Sequence, residues 1–143
     1  MQLVDYLQEN YILPDLKSRN KTDALKELLT PLRDKEPDFP FQQAYEILME
    51  RESLGSTGIG DGVAIPHGKM EELEDIKLLV GRSFDGVDFA AIDSKPCYIF
   101  FLVILIPFVN IVYIPAMNHE NAPFVFVAKL FRKKVITDLY ISR

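Results

Sequence analysis

An uncharged apolar run near the C-terminal end is the feature that most limits what this chain can fold into. The run Tyr98–Met117 has about 20 residues, which is enough for a helix to cross a lipid bilayer. Pro107, Asn110 and Pro115 interrupt it, however, and no basic cluster flanks either end as an anchor. We therefore predict no membrane insertion. The first half, residues 98–106, is rich in branched and aromatic side chains and is predicted to be a strand.

The remaining composition is typical of one folded, acidic domain. The 143 residues include 16 Lys+Arg and 21 Asp+Glu, a net charge of −5 that disfavours binding to nucleic-acid backbones. With 48% hydrophobic residues, disorder is excluded for the chain as a whole. The single cysteine, Cys97, cannot form an internal disulfide, and we expect it to be a small buried hydrophobe. No basic and apolar leader opens the sequence, so we expect a cytoplasmic protein.

Two amphipathic helices are predicted in the first third of the chain. The first has apolar residues at helical spacing over 24–29, with Ser18 or Thr22 as its N-cap. The second has its apolar stripe over 41–49 and ends near Arg51–Glu52. Each helix has one face to bury against another layer.

Strands follow, and they place the chain in the α/β class. Besides residues 98–106, we predict strands at Val63–Ile65 and Ile76–Val80, with a turn-like segment at 83–89. A last helix is predicted over Val125–Tyr140. Helices before, between and after strands predict a single-domain, three-layer arrangement in which helices flank a mixed central sheet.

The segment 54–69 differs in character, since it holds five of the seven glycines and has no helical period. We expect it to be looped apart from the one short strand. Its glycines match neither the Walker phosphate loop nor the dinucleotide fingerprint. It does present His67, between Pro66, which fixes the backbone, and Gly68, which is expected to leave the ring open on its far side.

An imidazole so presented is a competent nucleophile at neutral pH, because much of it is uncharged, and it can accept a phosphoryl group. The Arg51 guanidinium, the hydroxyls of Ser56 and Thr57 and the glycine-lined backbone are candidates to hold the phosphoryl oxygens. By itself, a histidine in such a loop is more often a turn or surface residue. No metal or other cofactor is expected, because His119 is the only other histidine and no ligand cluster accompanies it.

Residues 50–69, ERESLGSTGIGDGVAIPHGK, resemble the active-site signature of one enzyme IIA class in the bacterial phosphoenolpyruvate-dependent sugar phosphotransferase system. This is the fructose/mannitol/nitrogen-regulatory class, known as type 2, and weaker similarity extends over residues 1–103. The resemblance implies that His67 is a phosphohistidine, which receives a phosphoryl group from HPr and passes it to a cysteine of an enzyme IIB domain during carbohydrate uptake. It also implies that Arg51 lies beside His67, and that residues 98–106 are a strand buried on both faces.

The chain departs from the family pattern over residues 104–127. The family has a second active-site histidine shortly after a proline that corresponds to Pro107, whereas here only His119 is a candidate for that role. A solvated loop histidine is the alternative interpretation of His119.

Three hypotheses about function therefore stay open. The chain is a sugar-uptake phosphocarrier, a nitrogen-related regulatory enzyme IIA that binds other proteins according to its phosphorylation, or a folded domain whose altered segment has reduced its activity.

Overall fold

A computed structural model describes residues 3–106, and its first long helix follows from the apolar stripe in the sequence. Helix α1, Lys21–Lys35, buries five side chains of that stripe along one face. Its N-cap is neither Ser18 nor Thr22 but Asn20, whose side chain accepts a hydrogen bond from the Asp23 amide at 2.9 Å. Ser18 instead donates its hydroxyl to Glu27 at 2.7 Å, outside the helix start. The helix is confirmed and the predicted cap was wrong.

Helix α2, Phe41–Ser53, is also confirmed, with its end close to the predicted Arg51–Glu52. It buries Ala44 and Leu48 of the expected stripe. A third residue on the same face, Glu52, is buried as well, which the apolar pattern did not predict.

Six strands form one mixed sheet, and two short 3-10 helices, Leu3–Tyr6 and Glu9–Tyr11, precede them. The strands are β1 Ile12–Leu13, β2 Gly58–Gly60, β3 Val63–Ala64, β4 His67–Lys69, β5 Lys77–Val87 and β6 Cys97–Leu105. Their order is β1-β5-β6-β3-β2, and β4 also pairs with β6. β5 and β6 are antiparallel, whereas β3 and β4 both run parallel to β6. The predicted α/β class, with a mixed sheet flanked by helices, is confirmed.

Two parts of the strand prediction were wrong. The glycine-rich segment contains three short strands instead of one, because β6 offers backbone partners to β3 and β4, and β3 in turn pairs with β2. β5 continues through residues 83–87, which the sequence indicated as a turn, and its pairing with β6 shifts register there between Arg82 and Val87.

The core lies between the helices and one face of the sheet. Alternate residues of β6, Phe100, Leu102 and Ile104, join the side chains of α1 in one cluster. α1 approaches β5 so closely that a Cβ atom on Gly81 would come within 2.5 Å of Leu28. Only a glycine at this position leaves room for that contact.

Both faces of β6 are buried from Ile99 to Leu105, as predicted for its continuous apolar sequence, whereas Tyr98 near its start is 42% exposed. Phe101 and Val103, which point away from the helix-facing cluster, are 3% and 0% exposed. Cys97 is buried too, and burial raises the pKa of its thiol to about 12, so the prediction of an inert hydrophobe is confirmed.

Within residues 3–106, no helix is long and apolar enough to cross a membrane. The second half of the apolar run, His119 and the predicted C-terminal helix lie outside the described residues. The extent of the domain over the full 143 residues therefore stays a prediction.

Candidate functional site

His67 is the first residue of β4 and lies within the sheet, not in an open loop. It pairs in register with Val103 of β6, and the Val103 amide donates to the Pro66 carbonyl at 2.9 Å. β3, which ends just before it, pairs with β6 as well. The backbone on both sides of Ile65 and Pro66 is therefore fixed by a central strand, which gives the histidine a defined position.

The ring of His67 has a defined tautomer. Its Nδ1 lies 2.9 Å from the carbonyl oxygen of Ile65, and a carbonyl oxygen can only accept a hydrogen bond. Nδ1 therefore carries the ring proton in the neutral imidazole. The lone pair is left on Nε2, which becomes the nucleophilic nitrogen.

Burial lowers the pKa of His67 below its ordinary value of 6.5, because the side chain is 7% exposed and the charged form loses hydration. The hydrogen bond to Ile65 opposes this shift. The positive charge of Arg51 lowers the pKa further, and the negative charge of Glu52 raises it. The net direction is downward, which favours the neutral form of the ring.

Arg51 lies in the last turn of α2 and acts on His67 through its charge. Its Nη1 donates to the Gly55 carbonyl at 2.9 Å, a bond that holds the guanidinium beside the loop after the helix. The side chain is half-buried. The structure thus places Arg51 close enough to His67 for its positive charge to act on the ring.

The two candidate hydroxyls have different surroundings. Thr57 is buried, and its hydroxyl and backbone N–H both donate to the Glu52 carboxylate. Ser56 is half-buried, donates to the Phe89 carbonyl at 3.3 Å and accepts from the Gly58 amide at 3.0 Å. The Thr57 hydroxyl therefore donates its proton to a protein carboxylate. The Ser56 hydroxyl would have to break only its long hydrogen bond to the Phe89 carbonyl before it could donate to a ligand.

Backbone N–H groups of this segment, expected to hold phosphoryl oxygens, donate to side chains of the protein, and one of its glycines makes room for helix packing. The Gly58 amide donates to Ser56, and the Asp61 amide donates to Asp93 at 3.1 Å, so these N–H groups are used internally. Gly68 was expected to leave the His67 ring open. A Cβ atom there would instead lie 2.6 Å from Ile47, so Gly68 allows α2 to pack against β4.

Glu52 was missed by the sequence reasoning, although it is the most deeply buried carboxylate of the described chain. It pairs with Lys21 at 2.9 Å and accepts from the Thr57 amide at 3.0 Å. The sequence shows that Glu52 follows Arg51, but it does not show that the Glu52 side chain turns into the interior. Among residues 3–106, no group of three or more His, Cys, Asp or Glu side chains could hold a metal ion.

A family model described as "Phosphoenolpyruvate-dependent sugar phosphotransferase system, EIIA 2" matches residues 5–107. The chain is 34% identical over 119 residues to the PTS system fructose-specific EIIABC component of Bacillus subtilis. That match covers 82% of this chain and only 19% of the relative. It is 38% identical over 104 residues to a nitrogen regulatory protein of Bradyrhizobium diazoefficiens, covering 73% and 67% of the two chains.

Solved structures agree in fold. The nitrogen regulatory protein IIA-Ntr from Neisseria meningitidis superposes with a TM-score of 0.68 at 31% identity, covering 74% of this chain and 73% of that one. The enzyme IIAMTL in complex with phosphorylated enzyme IIBMTL from Escherichia coli gives a TM-score of 0.62 at 18% identity. That match covers 93% of this chain and 87% of the other.

Proposed function

This chain belongs to the EIIA 2 family of the phosphoenolpyruvate-dependent sugar phosphotransferase system, and on that premise we propose that it is a histidine phosphocarrier. His67 accepts a phosphoryl group from phospho-HPr and passes it to a cysteine of an enzyme IIB domain during carbohydrate uptake. The hydrogen bond from Nδ1 of His67 to the Ile65 carbonyl carries this proposal, because it leaves Nε2 free to act as the nucleophile.

The transfer balances with the groups present. The Nε2 lone pair of His67 forms a bond to phosphorus while the bond between phosphorus and HPr breaks, and HPr keeps that electron pair. The ring retains its proton on Nδ1 and takes a positive charge, which the Ile65 carbonyl oxygen stabilises. In the second step a cysteine thiolate of enzyme IIB attacks phosphorus, and Nε2 recovers its electron pair as the phosphorus–nitrogen bond breaks.

Arg51 supplies positive charge for the phosphoryl oxygens, which carry the most negative charge as the group moves between proteins. Ser56 is the better placed of the two hydroxyls to join it, because its bond to Phe89 is long. Thr57 can contact a phosphate only if its hydroxyl leaves Glu52. His119, the other histidine that the sequence offers, lies outside the described residues, and its role is decided by phosphorylation of a His119→Ala variant.

The partners follow from the family and from one relative of the same fold. The Escherichia coli IIAMTL forms a complex with phosphorylated IIBMTL, which supports an enzyme IIB domain as the acceptor here. HPr is the proposed donor, and the transfer is proposed to occur in the cytoplasm. The chain covers 19% of the Bacillus subtilis relative, so the transporter portion with which it acts is also part of the proposal.

Incubation with phosphoenolpyruvate, enzyme I and HPr tests the phosphocarrier directly. We expect the wild-type chain to gain acid-labile phosphate, His67→Ala to gain none, and His119→Ala, the matched histidine control, to remain a phosphate acceptor. A slower rate for His119→Ala would assign that residue to assist His67, and an unchanged rate would assign it to the surface. No labelling of the wild-type chain, or labelling of His67→Ala, would contradict the proposal.

The regulatory function is the second candidate, and the 38% identity to a nitrogen regulatory protein favours it. In that case His67 is phosphorylated in the same way, but the phosphoryl group changes which proteins the chain binds. Mixing the phosphorylated chain with purified fructose- and mannitol-type enzyme IIB domains separates the two functions. Transfer to a IIB cysteine supports sugar uptake, whereas stable phosphohistidine in the presence of both domains supports regulation.

A further inference from the structure

The buried carboxylate of Glu52 has no part in the phosphoryl transfer described above, yet it lies directly behind the site. The side chain is 2% exposed, and its partners are Lys21 at 2.9 Å and the Thr57 amide at 3.0 Å. The Thr57 hydroxyl is a further donor to it. A carboxylate this deeply buried needs such partners, because its charge has lost nearly all contact with water.

Three hydrogen bonds, joined through the backbone of Thr57 and of Ile65, connect this carboxylate to the His67 ring. Glu52 holds the backbone N–H of Thr57, and the carbonyl of Thr57 accepts from the Ile65 amide at 2.9 Å. The carbonyl of Ile65 in turn accepts from Nδ1 of His67 at 2.9 Å. Glu52 is therefore linked to the carbonyl that selects the ring tautomer through two hydrogen bonds and the backbone of Thr57 and Ile65.

Lys21 fixes the other side of the carboxylate. It is the first residue of α1, and its side chain is 20% exposed. Its ammonium nitrogen also lies 5.0 Å from the centre of the Phe89 ring. The pair thus ties the start of α1 to the end of α2, and so holds Glu52 where Thr57 can reach it.

We infer that Glu52, held by Lys21, is a positioning residue for His67: it fixes Thr57 and the Ile65 carbonyl, and so keeps Nε2 as the reactive nitrogen. The inference rests on the proposed function for its effect on phosphoryl transfer, but its effect on the ring stands apart from any phosphoryl donor.

The charges around the ring support the same role. Among the described residues, Arg51 and Glu52 are the charged groups that act on His67, and they act in opposite directions. When Nε2 takes the phosphoryl group the ring becomes positive. The negative charge of Glu52 favours that state, in addition to holding the carbonyl that accepts from Nδ1.

The test reads the tautomer itself, by ¹H–¹⁵N correlation spectra of the full chain labelled at the histidine ring nitrogens. In the wild type we expect His67 to be the Nδ1–H tautomer. In Glu52→Gln, which keeps the size but loses the charge, we expect a mixture of tautomers and phosphorylation slowed on the order of tenfold per folded molecule. Lys21→Met, at a partly exposed position, is also expected to give a mixture of tautomers and slower phosphorylation. It replaces Glu52→Gln as the test if that variant does not fold.

Glu36→Gln is the matched control, because Glu36 is also a carboxylate paired with a lysine, Lys77, at 2.7 Å, but belongs to a different cluster. It is expected to leave the tautomer and the rate unchanged. A folded Glu52→Gln variant with the wild-type tautomer and rate would overturn the inference, as would an equal effect of Glu36→Gln. A wild-type chain with the Nδ1–H tautomer that gains no phosphate would contradict the proposed function while leaving the positioning role standing.

Discussion

Two carboxylates of this molecule, Glu36 and Glu52, have the same kinds of partner but lie at different depths. Glu36 accepts from Lys77 at 2.7 Å and from the Tyr11 hydroxyl at 2.5 Å, and its side chain is 32% exposed. Glu52 accepts from Lys21 and from Thr57, and its side chain is 2% exposed. Burial decides how strongly each cluster contributes to stability, because water screens the charges around Glu36 but not those around Glu52.

The two clusters also differ in what they hold together. Glu36 follows the end of α1 and joins the 3-10 helix of Tyr11 to β5. Glu52 holds the loop that leads to His67. The same chemistry thus joins two elements of the fold at one place and, in the positioning role that we infer for Glu52, orients the His67 ring at the other.

The largest expected difference between the clusters is in stability. Glu52→Ala leaves the Lys21 ammonium without its buried partner and the Thr57 amide without an acceptor, and removal of one partner from such a pair costs about 3 to 5 kcal/mol. Because Lys21 is 20% exposed and can turn toward water, we expect about 3 kcal/mol. Urea unfolding measures this. A loss no larger than that of Glu36→Ala would mean that depth has no influence here.

The second largest expected effect is on the rate of phosphorylation, through Arg51. Arg51→Ala removes a positive charge that lowers the pKa of His67, so we expect that pKa to rise and phosphorylation to slow on the order of tenfold. The free energy of unfolding should change by less than about 0.5 kcal/mol, because Arg51 lies outside the hydrophobic core and its hydrogen bond is to the carbonyl of an exposed loop residue, Gly55. Rate assays and an NMR titration of His67 measure both quantities. An unchanged rate would remove Arg51 from the site.

The smallest effect is the pH dependence of the Glu36 cluster. Burial raises the pKa of Glu36, but the hydrogen bonds from Lys77 and Tyr11 outweigh it, and the net direction is below the ordinary value of 4.5. The unfolded chain therefore takes up this proton first, and the stabilisation is lost as the pH falls below about 4.5. We expect Glu36→Gln to lower the unfolding free energy by about 1 kcal/mol at pH 7 and less at pH 3. A difference that grows on acidification would contradict this sign.

Much of the fold follows from local pattern. The apolar spacing of residues 24–29 and 41–49 located both helices, and the uncharged sequence of residues 98–106 indicated a strand with two buried faces. The N-cap of α1 was assigned wrongly because Ser18, Asn20 and Thr22 all have side chains that can cap a helix, and local sequence does not choose among them. Of the short strands in residues 58–69, β2 and β4 were missed. β4 pairs with β6, whose paired residues come well over 30 positions later, and β2 forms against β3, which β6 itself holds in the sheet, so local pattern could not indicate either strand.

The candidate site divides in the same way. The sequence by itself made His67 and Arg51 candidates for the site, because the run of residue types at 50–69 is distinctive. Only the tertiary structure decided that the His67 ring is buried, that Ile65 holds its Nδ1, and that Glu52 turns inward to meet Lys21. Burial and the pairing of distant charges depend on which elements pack together, and that is a property of the folded chain and not of any segment in it.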